Sequence, residues 1–281
     1  PPAHTQRTDK EHTVDQYICI TCGTQYPASA AAPAHCPICE DDRQYINHNG
    51  QQWTTLPELR QDHTNTFLEV DPSIIAIRTA PIVAIGQHAQ LIQTPAGNLL
   101  WDCISFLDDA TIEEVRRRGG ISAIAISHPH FYSSMVEWSR AFEAPIYLHA
   151  DNQPWVMRPD RAVQYWQGDS KQLLPGLTVV RCGGHFPGSS VLHWDAGADG
   201  RGALFTADTI NVVADRRYVS FMYSYPNQIP LGATAVRGIV AAVEPYAFDR
   251  IYGSWPGSIV AEDAKAAVRR SAERHIAHIS I

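Results

Sequence analysis

The 281-residue sequence contains no stretch approaching the roughly 20 consecutive apolar residues needed to cross a bilayer, and it has no signal-like opening, since Pro1 to Glu11 is polar. No membrane partner is expected, and cytoplasmic residence is. A surplus of positive charge is missing too: 22 Lys and Arg stand against 29 Asp and Glu, a formal net charge of -7. Nucleic-acid affinity rests largely on basic side chains displacing condensed counterions, so no nucleic-acid partner is expected either. The clearest basic run, Arg116-Arg117-Arg118, closes a predicted helix, where cations favour the dipole. The sequence shows no internal repeat or low-complexity tract, a pattern that still admits a pseudo-symmetric sandwich. A hydrophobic fraction of 44% with 18% charged residues argues against disorder.

What is present begins with cysteine. Four of the six cysteines fall in two C-x-x-C pairs, Cys19-Ile20-Thr21-Cys22 and Cys36-Pro37-Ile38-Cys39, with 13 residues between them. Doubled pairs of this spacing favour a metal over disulfides, because each pair presents two thiolates to one side of an ion. Cys103 and Cys182 are left over. Residues 1 to about 16 read as a polar lead-in, and Tyr17 to about Ile46 hold too few apolar residues for a core of their own. A bound metal must then organise that segment. Trp53 to Pro57 and the polar stretch after it read as a connector, so the expected division is 1–64 and 65–281.

The larger region reads as alternating short strands and helices. Ile74 to Ile77, Ile82 to Ile85 and Ala89 to Ile92 suggest an antiparallel meander, followed by a strand over Asn98 to Trp101. Asp109 is the expected cap of a helix to about Arg118, stopped by Gly119-Gly120. Strands are expected over Ile121–Ile126, Ile146–Leu148, Leu177–Arg181, Val191–Trp194, Leu204–Thr206 and Ile251–Tyr252. Helices are expected over Met135–Phe142, Ala233–Val243 and Glu262–His275. The fold class is α/β, mixed sheets with helices outside.

Several strand ends carry candidate ligands. The strand ending at Ser127 runs into His128-Pro129-His130; Gly183-Gly184-His185 lies in a glycine-rich turn; Asp208 follows Leu204-Phe205-Thr206-Ala207. Three imidazoles and a carboxylate suit a borderline cation such as Zn2+.

On these residues the chain resembles the metallo-β-lactamase superfamily over roughly residues 74 to 260. Asn98-Leu-Leu-Trp-Asp102 matches a strand ending in aspartate, and His128-Pro-His130 begins the H-x-H-x-D-H motif. Gly184-His185-Phe-Pro-Gly-Ser189 matches the G-H-x-P-G-S turn, and Asp208 matches a metal-bridging aspartate. The resemblance implies an αββα sandwich of two mixed sheets with outer helices. The first segment resembles a zinc ribbon or rubredoxin-like knuckle pair, through Tyr17, Cys22-Gly23 and Cys36-Pro-Ile-Cys39.

The departures matter as well. Tyr132 and Ser133 stand where the motif continues with Asp and His, and Tyr252-Gly-Ser-Trp-Pro-Gly-Ser258 lacks the final histidine. These are second-metal ligands in dinuclear relatives, so the resemblance implies one ion held by His128, His130 and His185. Asp208 is then either a fourth ligand or the group orienting an activated water, and Tyr132 either an oxyanion donor and acid or a filler of vacated space. Two Zn2+ per chain are expected, one catalytic at the histidines and one structural at Cys19, Cys22, Cys36 and Cys39, with iron an alternative at either. Cys182 is either reactive or a core residue, and His149 is within possible reach of the pocket. Tyr218, Phe221, Tyr223, Tyr225 and Trp255 are candidate pocket walls.

The expected function is a metal-dependent hydrolase using a metal-bound hydroxide on a small-molecule ester, lactone, thioester or amide. A mononuclear iron dioxygenase resembling persulfide dioxygenases, with His128, His185 and Asp208 as its facial set, is the alternative, and a non-catalytic binding module a third. The ribbon segment is a candidate contact for a homodimer.

Overall fold

A computed structural model describes residues 14–280, so the lead-in up to residue 13 lies outside the described residues. Seven strands form one sheet in chain order: Thr64–Asp71, Ile74–Ala80, Ala89–Thr94, Gly97–Trp101, Ala123–Ala125, Ile146–His149 and Val163–Trp166. The first four run antiparallel and the rest join in parallel. Ser170–Leu174, Leu177–Arg181, Ser190–Trp194, Ala203–Phe205, Arg250–Tyr252 and Ile259–Val260 form the second sheet, with a single parallel pairing between Ala203–Phe205 and Arg250–Tyr252.

Side-chain alternation sorts the strand residues into layers, because successive side chains point to opposite faces. Leu99, Trp101, Ala123 and Ala125 of the first sheet share one buried cluster with Val179, Leu192 and Phe205 of the second, which is the sandwich interior. Leu100 and Ile124, one residue out of phase, join Val115, Val136 and Trp138 from helices Asp109–Arg117 and Met135–Phe142. Val180, Val191 and Leu204 likewise pack with Val236, Ile239 and Val268 from helices Ala233–Val243 and Ala264–Ile279. Helices thus cover both outer faces, the αββα arrangement. No described helix is long and apolar enough to cross a membrane.

Several expectations need correction. Ile82 to Ile85 is not a strand: Ala84 and Gly86 adopt positive φ of 54° and 76°, and Gly86 N–H closes a turn onto Val83 O. Ala89–Thr94 therefore pairs directly with Ile74–Ala80. The helix cap is Asp108, whose carboxylate accepts from Thr111 N–H, one residue before the expected position. The polar stretch read as connector holds the edge strand Thr64–Asp71, whose outward residues are exposed and so gave little hydrophobic signal. The last helix starts at Ala264, two residues late, and runs to Ile279.

The cysteine segment lies against the sandwich at two places. Its first turn docks through Ser105 Oγ donating to Gly23 O at 2.8 Å and Gln25 N–H donating to Ser133 O at 3.0 Å. Its tail docks through Trp155 Nε1 to Asp41 Oδ2 at 3.3 Å, Ser224 Oγ to Arg43 O at 3.1 Å, and Asn227 Nδ2 to the carbonyls of Asp42 and Gln44.

Candidate metal centres

Each C-x-x-C pair is shaped by a local turn. Gly23 takes φ +81° and its N–H donates to Cys19 O at 2.8 Å, which folds the first pair back on itself. Cys36 caps the short helix Pro37–Glu40 and accepts Cys39 N–H at 2.9 Å, so the second pair shares one turn. The Cys19 and Cys39 sulfurs are 3.6 Å apart, as are those of Cys22 and Cys36. Disulfide sulfurs would lie at about 2.0 Å. A tetrahedron with metal–sulfur bonds of about 2.3 Å has edges of about 3.8 Å, and the quartet fits that.

All four cysteines are buried. Hydrogen bonding from Cys22 and its neighbours holds the Cys19 thiol well below its ordinary range, whereas burial drives Cys22 well above. Four thiolates this close need a cation to ionise together. Tyr26 OH donates to Cys36 Sγ at 3.0 Å and Gln51 Nε2 to Cys19 Sγ at 3.1 Å, donors that suit thiolate charge.

The histidine centre is assembled from strand ends of both sheets. Strand Ala123–Ala125 delivers His128 and His130, on either side of Pro129 in a single 3-10 turn. The connection between Leu177–Arg181 and Ser190–Trp194 delivers His185, and the chain after Ala203–Phe205 delivers Asp208. Ser190 N–H donates to Ser127 O at 3.0 Å, tying the two sheets together beside the site.

Asp208 Oδ2 lies 3.3 Å from His128 Nε2 and 3.8 Å from His185 Nε2, and His185 Nε2 lies 3.3 Å from His130 Nδ1. A tetrahedron with bonds of 2.0–2.1 Å has edges of about 3.3–3.4 Å. His128 Nε2 and Asp208 Oδ1 are buried without any hydrogen-bond partner. Among the atoms at ligand spacing, His128 Nε2 is left with an unpartnered lone pair that a cation would satisfy, since burying it otherwise costs about 1–3 kcal/mol. Burial pushes His185 down to about 4 and His130 well below the ordinary imidazole value, which keeps both neutral as ligands must be.

Neighbouring groups fix the ring orientations. Met222 O lies 3.2 Å from His185 Nδ1, and a carbonyl only accepts, so Nδ1 carries the proton and Nε2 the lone pair. Ser127 Oγ sits 2.8 Å from His128 Nδ1, while Ser127 N–H donates to Asp102 Oδ1 at 2.8 Å. Burial raises the Asp102 carboxyl to about 7.

The other candidates fall in different places. Tyr132 is buried in the outer core with Phe131 and Met135; its hydroxyl has no partner, and burial raises it well above the ordinary phenol range. Ser133 Oγ donates to Cys103 O at 3.2 Å and receives Gln87 Nε2. Gly253 O, beside the missing histidine, accepts from His88 Nε2 and Gln90 Nε2. Among the described residues, ligand spacing occurs in the cysteine quartet and the histidine–aspartate quartet and nowhere else. His149 is held away by Gly168 O at 3.2 Å and Trp166, and Cys182 is raised to about 12 by burial. Of the aromatic wall candidates, Tyr225 reaches the centre, its ring 5.9 Å from His185 and its hydroxyl donating to Asp208 O. Phe221 packs in the second outer core and Tyr218 lies among Arg217, Arg270 and Arg274. Sequence reading missed Arg43, whose one signal was a lone cation after Asp41-Asp42.

No family model matches the chain. An uncharacterized protein of Bacillus subtilis (strain 168), YmaE, is 49% identical over 262 residues, covering 92% of this chain and 95% of its own. Among solved structures, VMB-1 superposes with a TM-score of 0.57 at 9% identity, over 76% of this chain and 98% of its own. MEM-A1, a subclass B3 metallo-β-lactamase from a soil metagenome library, gives 0.50 at 19% identity over 76% and 94%. A metallo-β-lactamase mutant from Cronobacter sakazakii gives 0.50 at 17% identity over 76% and 93%. At such identities the likeness is one of fold, and the fold is that of the metallo-β-lactamases.

Proposed function

The chain belongs to the same family as YmaE of Bacillus subtilis, and from that footing we propose that it is a metal-dependent hydrolase of a small-molecule ester, lactone, thioester or amide. The carrying observation is the convergence of three imidazole nitrogens and a carboxylate oxygen at tetrahedral spacing within the metallo-β-lactamase fold. His128, His130 and His185 would hold the ion, with Asp208 Oδ2 as the fourth donor. A divalent cation there supplies a Lewis acid and brings the ionisation of a water near neutral pH. Met222 O and Ser127 Oγ would hold His185 and His128 in the orientation that binding requires. Asp208 Oδ1, buried and unpartnered, would be the group that accepts a proton from an attacking water. Zinc is the proposed ion at both centres, structural at the cysteines.

Replacing His185 with alanine tests this on the intact chain. The metal content should fall by one ion and hydrolysis of p-nitrophenyl acetate should disappear; undiminished turnover by the variant sinks the reading. One feature favours a second reading. All four donors come from the protein and all are buried, the closed arrangement of structural ions. Full metal loading without turnover on any of the four substrate classes selects that alternative.

A further inference from the structure

Arg43 enters the surroundings of the histidine centre from the cysteine segment, and its setting is unusual for a side chain that merely packs. Its guanidinium carbon lies 4.4 Å from the Phe186 ring centroid, 4.7 Å from Tyr223 and 5.7 Å from Trp155. Rings at this range attract a cation through their negative faces. Phe186 in turn lies 5.0 Å from His130 and 5.1 Å from His185, so one ring separates the guanidinium from the candidate ligands.

The hydrogen bonding of this guanidinium is one-sided. Nη1 alone reaches Asp41, at 2.7 Å from each carboxylate oxygen, and Asp41 is also tied by Trp155 Nε1. Nε is buried and has no partner. The Nε–Nη2 edge, the pair of donors that matches a carboxylate with two parallel bonds, is therefore not engaged by Asp41. An unsatisfied buried donor is costly unless something else satisfies it. Some 14% of the side chain stays exposed while Nε is buried, so a small molecule would approach this edge from its Nη2 end. Beside the loop runs an open groove of about 470 Å³ whose lining includes Glu40, Asp41, Asp42, Gln44, Tyr223 and Asn227. The neighbouring acids Glu40 and Asp42 are exposed and so screened by water.

Docking holds this arrangement in place. The carbonyls of Asp42, Arg43 and Gln44 are gripped by Asn227 and Ser224, which follow Tyr223 in sequence. Thus the cysteine segment holds a charged side chain one aromatic ring away from the candidate ligands of the histidine centre.

We propose that Arg43 is a specificity-determining residue of the histidine centre, selecting substrates that carry a carboxylate through its Nε–Nη2 edge. This rests on the hydrolase reading above, and its test separates the two. The metal-loaded full chain is assayed with p-nitrophenyl acetate and with mono-p-nitrophenyl succinate, which differ by one carboxylate. The wild type should favour the succinate ester in kcat/KM by roughly 10- to 100-fold, mainly through KM, as a charge-assisted bidentate contact implies. In Arg43→Met that ratio should collapse toward one, and Arg43→Lys, which keeps charge without the fork, should retain only part of it. Equal rates on the two esters in the wild type, or a ratio unchanged in Arg43→Met while both rates fall, overturn the proposal. If neither ester is cleaved, the ester branch of the hydrolase reading fails, and titration of the intrinsic tryptophan fluorescence with succinate decides the rest. Saturable quenching that Arg43→Met abolishes supports the carboxylate site; its absence in the wild type overturns it.

Discussion

The cysteine and histidine centres each gather four donors at tetrahedral spacing, yet the chain around them is built in opposite ways. Around the cysteines, regular structure amounts to the two-residue strand Ile18–Cys19, its partner Trp53–Thr54 and the four-residue helix Pro37–Glu40. The buried cluster there consists of the four cysteines with Tyr26 and Ile38. Ordering each residue costs about 1–2 kcal/mol, and so small an apolar cluster does not offset it. Around the histidines, both sheets bring full strands and three buried clusters that need no ligand to form. The difference teaches that a metal at the first centre would take part in folding, whereas one at the second would add to a folded scaffold.

The strongest way to break that comparison is Cys36→Ser. Structural zinc in small modules contributes roughly 10–16 kcal/mol of apparent binding energy, so losing one thiolate should empty the site. Hydrogen exchange should then show residues 17–46 unprotected while the sandwich strands keep their protection. Collapse of protection across the whole chain would mean the two regions fold as one unit.

Acid sharpens the comparison from the other side, through a group that is no ligand. His88 is buried in the sandwich and donates to Gly253 O, and burial lowers its imidazole to about 4. The unfolded chain takes up a proton near pH 6.5 that the folded state refuses. The contribution of neutral His88 to stability is thus complete above pH 6.5 and is lost as pH falls toward 4, by about 3 kcal/mol. Urea unfolding at pH 7 and pH 4.5, compared with His88→Gln, should show the wild type losing more stability by roughly that amount. Parallel losses in the two proteins would remove His88 from the account.

How much of this was legible beforehand follows the same division. Helices Met135–Phe142 and Ala233–Val243 and strand Leu177–Arg181 lie where hydrophobic periodicity put them, because each buries one face against a large core. The two ligand quartets were legible from residue type and spacing, and the chain does bring their members together. The edge strand Thr64–Asp71 was not, since its exposed side chains carry no alternation of polarity. Ile82 to Ile85 misled for the converse reason: the apolar run is used in a turn set by Ala84 and Gly86. Arg43 was illegible because its meaning depends on Phe186 and Tyr223, more than 140 residues away in sequence. The fate of Ser133 was hidden in the same manner, its carbonyl being a docking point for Gln25 of the cysteine segment.

The smallest effect, and the finest probe of the junction, is Gly23→Ala. Gly23 has φ +81°, and a Cβ there would stand 2.5 Å from Ser105 Oγ, the hydroxyl that donates to Gly23 O. Left-handed backbone costs alanine about 1 kcal/mol, and turning Ser105 away forfeits a hydrogen bond of about 1 kcal/mol. A loss of about 2 kcal/mol should lower Tm by several degrees while the metal content stays that of the wild type. Adding Ser105→Ala separates the causes, because it relieves the contact with Ser105 and leaves the strain together with the 3.0 Å approach to Ala84 Cβ. If the regions truly meet at this point, Gly23→Ala should cost about half as much in the Ser105→Ala background as in the wild type. An equal cost in both backgrounds would assign the whole effect to the knuckle's own turn, and the junction would then contribute nothing to it.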